Sequence, residues 1–459
     1  MDAPASVADR QRAWFRTGAT REVAFRLEQL GKLREAVASR ESAILEAVKR
    51  DLGRPAEEAY TSEVGIVLHE IDLARRHLAS WARPRKVRTP LVLFPASSWV
   101  QAEPYGSVLI IAPWNYPFQL AIAPLAAALA AGNCAVVKPS EAAPHTSRLV
   151  AEMIRATFDE TCVAAVEGGA PETQALLAQR FDYIFFTGGT QVGRIVMAAA
   201  AQHLTPVTLE LGGKNPCLVD RDADLGIAAR RIAWGKFMNA GQTCIAPDFV
   251  LAHKSIKAEL LQRLAAAVER FYGKEPQASP DYGRIVNDRH FERLAALLRE
   301  GKAAVGGQSA KAQRYIAPTI LEGVSWDSAV MQEEIFGPIL PVLEFEDLDS
   351  AIQMLQARPK PLALYVFSND RARQDEVVRR LSSGGACIND TFGQFLNLRL
   401  PFGGVGESGM GAYHGKAGFD TFSHAKGVVR RATWADPGTK YPPYKTPLAV
   451  LRRIISFLL

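Results

Sequence analysis

The chain has 459 residues, 48% hydrophobic and 22% charged, with 54 Lys and Arg against 48 Asp and Glu for a net charge of +6. At roughly 150 residues per domain that length suggests about three lobes, and the balance excludes a disordered, collagenous or multi-span membrane protein. The basic excess is mild and forms no long run interleaved with aromatics, which argues against nucleic acid as a partner. Apolar positions recur at helical spacing from about Arg21 to Leu52 (Leu27, Leu30, Leu33, Val37, Ile44, Val48), predicting one helix stopped by Gly53 and Pro55. A second helix is expected over 64–81, and the segment 91–102 reads as extended.

From Gly106 to Gly213 strand and helix alternate. The apolar runs 108–112, 135–137, 163–166, 183–186 and 207–211 read as buried strands, with helices over 118–131, 147–157 and 194–201 between them. Such alternation implies a parallel sheet covered on both faces, with its site beyond the carboxyl ends of the strands. Further strands (249–252, 363–367) and helices (257–271, 375–381) follow. After Asn389 the chain is rich in glycine and aromatics as far as Phe422.

The five cysteines, Cys134, Cys162, Cys217, Cys244 and Cys387, are odd in number, widely spaced and form no CxxC. That is neither a disulfide framework nor a zinc site, so no metal is expected and a reducing compartment fits. The first thirty residues, with Asp2, Asp9, Arg10 and Arg12, hold no signal-peptide core. A cytoplasmic location is the expectation.

Four segments carry chemistry. Phe186-Thr187-Gly188-Gly189-Thr190-Gln191-Val192-Gly193 follows a predicted strand and opens a predicted helix. Glycines there let a backbone approach a pyrophosphate at a positive helix N-terminus, although a tight βα turn would look the same. The strict dinucleotide fingerprint asks for Gly where this chain has Thr190. It also places a ribose-binding acid about 20 residues on, where Glu210 stands. Cys244 follows a Gly-Gln-Thr turn, so it reads either as a nucleophile awaiting activation or as a small buried hydrophobe. Asn115, in Ala112-Pro113-Trp114-Asn115-Tyr116-Pro117, is an amide suited to an oxyanion, or part of a proline-rich turn. Lys138 and Glu141 end another strand and suit a diol or phosphate, or a solvated loop.

Taken together, these segments resemble the aldehyde dehydrogenase superfamily over nearly the whole chain. Phe237-x-Asn239-x-Gly241-Gln242-x-Cys244 is similar to that family's nucleophile motif, and Leu209-Glu210-Leu211-Gly212-Gly213-Lys214-Asn215-Pro216 to its general-base motif. Glu333-Glu334-Ile335-Phe336-Gly337-Pro338 and Pro401-Phe402-Gly403-Gly404 resemble two further blocks. The stretches 409–416 and 420–424, with Lys440-Tyr441-Pro442-Pro443-Tyr444, look like the class 3 branch. Gly189 departs from the family, where Ser or Asn is more usual.

The resemblance implies an α/β fold: a Rossmann-like parallel-sheet cofactor domain (1–82 and 103–211), an α/β catalytic domain (212–390) and a small bridging and oligomerisation extension (83–102 and 391–440), followed by a tail (441–459). It also implies NAD(P)-dependent oxidation of aldehydes to carboxylic acids through a cysteine thiohemiacetal and thioester. Cys244 is then the nucleophile, Asn115 an oxyanion donor and Glu210 the base that releases the acid, with Glu333 or Glu334 as rival bases. Trp114, Gly188, Gly189, Thr190 and Gly193 fall to the cofactor, Lys138 and Glu141 to a ribose, and Glu334 and Phe336 to the nicotinamide end. A carboxylate at Glu141 favours NAD, with NADP also accepted. Medium- to long-chain aliphatic or aromatic aldehydes and a homodimer are expected.

Two alternatives share the fold. A CoA-acylating enzyme commonly lacks the Glu found at 210, and a silent structural protein would not keep Cys244, Glu210 and Asn115 together. Tyr60, Thr61, Trp234, Thr391, Phe392, Phe395 and Leu398 are candidates for the substrate pocket. His414 is read as structural, and the other four cysteines as buried. The tail 448–459 is too short for a transmembrane anchor and is expected to pack on a partner subunit or on the domain surface.

Overall fold

The computed structural model describes residues 6–436, 438 and 441–458; Asp2, Lys440 and Leu459, which figure in the sequence reading, lie outside them. Five apolar runs form the parallel strands Ser107–Ile111, Cys134–Lys138, Val163–Ala165, Tyr183–Thr187 and Val207–Glu210. Across the sheet they lie in the order 207–210, 183–187, 107–111, 134–138, 163–165. Gly409–Met410 adds an antiparallel edge beside Val207–Glu210. The three middle strands are buried at every position, as strands covered on both faces must be. Helix Gln119–Ala131, apolar on nearly every side, packs between the sheet and the helices Val23–Ala38 and Gly65–Trp81.

A second sheet has seven strands in the order 302–305, 319–322, 339–345, 249–253, 216–219, 363–367, 385–388, all parallel except the first. The third is a three-stranded antiparallel sheet of Arg85–Val87, Ala96–Pro104 and Ser423–Arg431. It joins the two segments expected to bridge.

Three local expectations change. The helix predicted from Arg21 to Leu52 is two helices, Val23–Ala38 and Glu41–Leu52. The Ser39 hydroxyl donates to the Glu35 carbonyl at 2.7 Å, and Arg40 leaves helical geometry at φ −113° and ψ 14°. The apolar periodicity continues across this break, so neither Gly nor Pro marks it. Residues 60–64 form a wide helical turn before Gly65–Trp81. The extended segment begins with a single tight turn, Leu91–Leu93, before its strand.

The tail forms helix Leu448–Leu458, which packs against that 91–93 turn. At 1.5 Å per residue its eleven residues reach only about 16 Å. No helix among the described residues is long and apolar enough to cross a membrane.

Candidate active site

Because the first sheet is parallel, the residues following its strands gather at one edge. Register sets Thr187 beside Glu210, and Ile111 beside both Phe186 and Lys138. Asn115, Gly188, Glu210 and Lys138 thereby come to one end of the sheet.

At Gly188 a Cβ would lie 2.5 Å from the Phe186 ring, so the chain is pressed against its own strand there. Gly189 differs: its φ is −76° and a Cβ would meet open space. It caps helix Thr190–Ala201, whose free N–H groups point out of the turn. Gly193 lies one turn in, close against Leu211.

Cys244 sits on the loop between helix Leu225–Phe237 and strand Phe249–His253. Asn215, on the segment leaving Glu210, holds this loop by donating to the carbonyls of Cys244 (2.7 Å) and Ala246 (3.0 Å). Gln242 ties it from the other side, donating to the Asn239 and Arg284 carbonyls and accepting from the Val286 N–H at 3.0 Å. The Asn115 amide donates to the Gln242 carbonyl at 3.1 Å, two residues before the thiol. Gly241 makes the turn at φ +73°, where a Cβ would fall 2.2 Å from the Gly337 carbonyl oxygen. No other residue fits there without moving the loop.

The loop carrying Glu333, Glu334 and Phe336 is fastened to the same body. Lys214 forms an ion pair with Asp248 and donates to the carbonyls of Val330 (2.9 Å) and Glu333 (3.0 Å). Asp248 accepts from the Ile335 N–H at 2.9 Å, and Arg293 donates to the Ile335 carbonyl at 2.6 Å. Phe336, at φ +49°, presents its ring edge-on to Trp114 at 5.3 Å between centroids. Glu333 is exposed, whereas Glu334 turns inward and takes the Gly213 N–H.

The electrostatics are dominated by burial. Glu210 is fully enclosed, neither carboxylate oxygen has a hydrogen-bond partner among the described residues, and its pKa is raised well above the usual carboxylate range. Burial also lifts Glu334 to about 8, with Asp248 adding to the effect. Burial, then the neighbouring Glu334 and Glu210, push the Cys244 thiol up, while the N–H groups of Cys244 and Ile245 pull the other way.

Two cavities meet here. One, of about 730 Å³, runs past Trp114, Gly188, Thr190, Glu334 and Phe336. The other, of about 590 Å³, is walled mainly by apolar groups, including Trp234, Met238, Phe392 and Phe395. Thr187, Glu210, Leu211 and Cys244 line both, and Glu210 is the one carboxylate they share among the described residues.

Of the residues expected around the substrate, Thr61, Trp234, Phe392 and Phe395 line the second cavity. Tyr60 points to solvent, Leu398 is in the core, and Thr391 is buried with its hydroxyl on the Arg231 carbonyl. Lys138 is buried, bonded to the Pro139 carbonyl and 3.5 Å from the exposed Glu141; neither lines the larger cavity. His414 is enclosed by Phe395, Phe402 and Tyr413 and held neutral, its pKa pressed to about 3 by burial. Cys134, Cys162 and Cys217 are buried as expected, but Cys387 is only partly so. Sequence reasoning assigned no role to Lys214, Asn215, Asp248 or Arg293, which hold the loops; the first two stood inside a recognised motif.

A thiol and a carboxylate at the junction of a glycine-edged cleft and an apolar cavity suit an oxidoreductase that joins a nucleotide cofactor to an apolar substrate through cysteine. Comparison with known proteins agrees with that class. The model of the Aldehyde dehydrogenase family matches residues 2–428. Mouse aldehyde dehydrogenase family 3 member A2 is 51% identical over 436 residues, covering 95% of this chain and 90% of the relative. A substrate-bound structure of Staphylococcus aureus AldH superposes with a TM-score of 0.96 at 49% identity, covering 99% of this chain and 100% of that one. An NAD-dependent aldehyde dehydrogenase from Sinorhizobium meliloti gives a TM-score of 0.86 at 29% identity, covering 94% and 87%. The chain belongs to the aldehyde dehydrogenase family.

Two outcomes follow from this geometry. Gly241→Ala is expected to cost about 10²-fold in kcat/KM, the scale of a misplaced reacting group, whereas Gly189→Ser stays within about threefold because its side chain has room. Equal kcat/KM for the two variants would contradict the loop argument. Alkylation of Cys244 by iodoacetamide, followed by peptide mass spectrometry, is expected to accelerate steadily from pH 7 to 9 because the thiol is held up. At pH 9 Glu334→Gln removes a nearby negative charge, lowers the thiol pKa and speeds alkylation by roughly threefold; a slower rate would contradict that sign.

Proposed function

We propose that this chain oxidises aldehydes to carboxylic acids with NAD, carrying the acyl group on Cys244 and releasing it through Glu210. The observation that carries the reading is the meeting of both cavities at those two side chains. The apolar cavity brings the aldehyde carbonyl to Sγ. Cys244 first loses its thiol proton to solvent. The thiolate Sγ then attacks the carbonyl carbon, and a C–S bond forms as the C=O π bond opens. The oxyanion takes hydrogen bonds from the Asn115 amide and the Cys244 N–H, each such donor being worth about 10²–10³ in rate. NAD, when bound, supplies the acceptor for the hydride that leaves this carbon. Glu210 then takes a proton from water, whose oxygen attacks the thioester; the C–S bond breaks, the acid departs and the thiolate is restored.

Burial fits Glu210 to this work. A base of ordinary carboxylate strength would hold a proton poorly near neutral pH, and a raised pKa brings it closer to the operating range. The sign is fixed: the working form is ionised, so deacylation slows as pH falls through the raised pKa. Glu334 is already engaged by Gly213 and lines only the larger cavity, which favours Glu210 over it as the base.

The residues suit the cofactor. Gly188, Gly189 and Thr190 line the larger cavity at the helix N-terminus, where Gly189 leaves open space for a pyrophosphate. Gly193, which the sequence assigned to the cofactor, instead lets the helix pack closely on Leu211. The buried Oε1 of Glu334, without a partner among the described residues, would accept from a ribose hydroxyl beside Phe336 and Trp114. Lys138 ends a strand at the same edge of the sheet and Glu141 follows it; although neither lines the larger cavity as it stands, both are assigned to the second ribose. A carboxylate there disfavours a 2′-phosphate and so makes NAD the first choice, with NADP also accepted. The division into cofactor domain, catalytic domain and bridging extension is supported by the three larger sheets, each lying mostly in one of them, although Gly409–Met410 of the extension adds an edge to the first sheet. The open edge of strand Ser423–Arg431 suits a second copy of the chain, giving a homodimer. The apolar cavity fits medium- to long-chain aliphatic or aromatic aldehydes, and the free cysteines fit a cytoplasmic location.

Purified protein is expected to form NADH from decanal without CoA, and Cys244→Ala to abolish this. Glu210→Gln is expected to retain a single-turnover burst while its steady-state rate falls by about 10²-fold or more. NADH formation that requires CoA, or loss of the burst along with the steady state, would overturn the assignment of Glu210 to deacylation.

A further inference from the structure

A buried ion triad lies outside the reacting groups and touches both loops that carry them. Arg54, 1% exposed, sits between helices Glu41–Leu52 and Ala56–Ala59. Its Nη1 donates to Glu63 Oε1 at 2.6 Å and its Nε to Glu58 Oε1 at 3.0 Å, and it also bonds the Ser62 hydroxyl.

Each acid passes the connection on. Glu63 Oε2 accepts from the N–H groups of Phe118 (3.1 Å) and Gln119 (2.8 Å), directly after the segment bearing Asn115. Glu58 Oε1 accepts from the Asn239 N–H at 3.0 Å, on the loop bearing Cys244. The guanidinium lies 4.6 Å from the centre of the Tyr116 ring, whose hydroxyl shares a 2.7 Å hydrogen bond with Thr243. One cation thus reaches both sides of the oxyanion position.

The loop needs such a restraint. Asn239 and Ala240 stand consecutively at φ 52° and 51°, a region that non-glycine residues seldom occupy in succession. From that conformation Asn239 Nδ2 donates to the Asn115 carbonyl at 2.9 Å and to the Gln242 carbonyl at 3.1 Å. The Glu58 contact grips Asn239 at the strained residue itself.

We propose that Arg54, acting through Glu58 and Glu63, is a positioning residue that sets the Asn115 amide against Cys244. This rests on the reading of Asn115 as an oxyanion donor. A triad that served stability alone would alter the amount of folded enzyme and not the coupling to Asn115.

The test is a double-mutant cycle on the full chain. Arg54→Met, Arg54→Lys and Glu58→Gln are each made with and without Asn115→Ala, and the NADH burst rate, the KM for NAD and the melting temperature are measured. With Asn115 present, Arg54→Met is expected to slow the burst by about 10²-fold and Glu58→Gln by about tenfold, with the KM for NAD within about twofold. Arg54→Lys, which keeps the charge, recovers about tenfold of the Arg54→Met loss. In the Asn115→Ala background the same substitutions cost less than about threefold. Losses of equal size in both backgrounds, or burst rates per folded enzyme within about twofold of the parent, overturn the proposal. An Asn115→Ala enzyme with an unchanged burst overturns instead the donor reading beneath it. The near-isosteric Glu58→Gln keeps the test decisive if Arg54→Met does not fold.

Discussion

The position of one buried carboxylate, Glu210, at the junction of two cavities is the constraint around which the rest of this molecule is arranged. Burial raises its affinity for a proton. Its place is set by the end of strand Val207–Glu210, with Thr187 on one side and Gly409 on the other. The first sheet therefore holds the acid at the junction of the two cavities, where its raised affinity for a proton is useful.

The second sheet delivers the thiol to the same point, and the segment just beyond Glu210 performs the alignment. Asn215 grips the carbonyl of Cys244, and Lys214 pairs with Asp248 and holds the 330–335 loop. Base, nucleophile loop and cofactor-side loop are thus tied through neighbouring residues of one stretch of chain. Within Leu209–Pro216, Lys214 and Asn215 tie these loops, and at Gly212 a Cβ would fall 2.0 Å from the Glu334 carboxylate.

Much of this was legible in the sequence, for physical reasons. Parallel strands buried on both faces appear as short apolar runs, so the five parallel strands of the first sheet, with 249–253 and 363–367 of the second, were found within about a residue of their ends. The inner strands 216–219 and 339–345 of the second were not read as strands. Nucleophile and amide lie in turns that glycines and prolines mark, and the acid ends a strand just before Gly212 and Gly213. The break at Ser39 and Arg40 was hidden because neither residue is a glycine or a proline and the apolar spacing runs on across it. The two-residue strand Gly409–Met410 is too short to carry a pattern. Arg54, between Gly53 and Pro55, and Glu58 look like solvated charges just past a helix end, and only the tertiary fold encloses them. Tyr60, Thr391 and Leu398 were misplaced for a related reason: which way a residue points depends on the packing of separate segments.

The central claim is that the acyl group passes through Cys244 and waits there for Glu210. Rapid acid quench of Glu210→Gln with NAD and decanal, followed by peptide mass spectrometry, tests it most directly. The account predicts an acyl adduct confined to the peptide containing Cys244, formed as NADH appears and absent from Cys244→Ala. NADH appearing with no adduct on any cysteine, or an adduct on Cys387 instead, would contradict it.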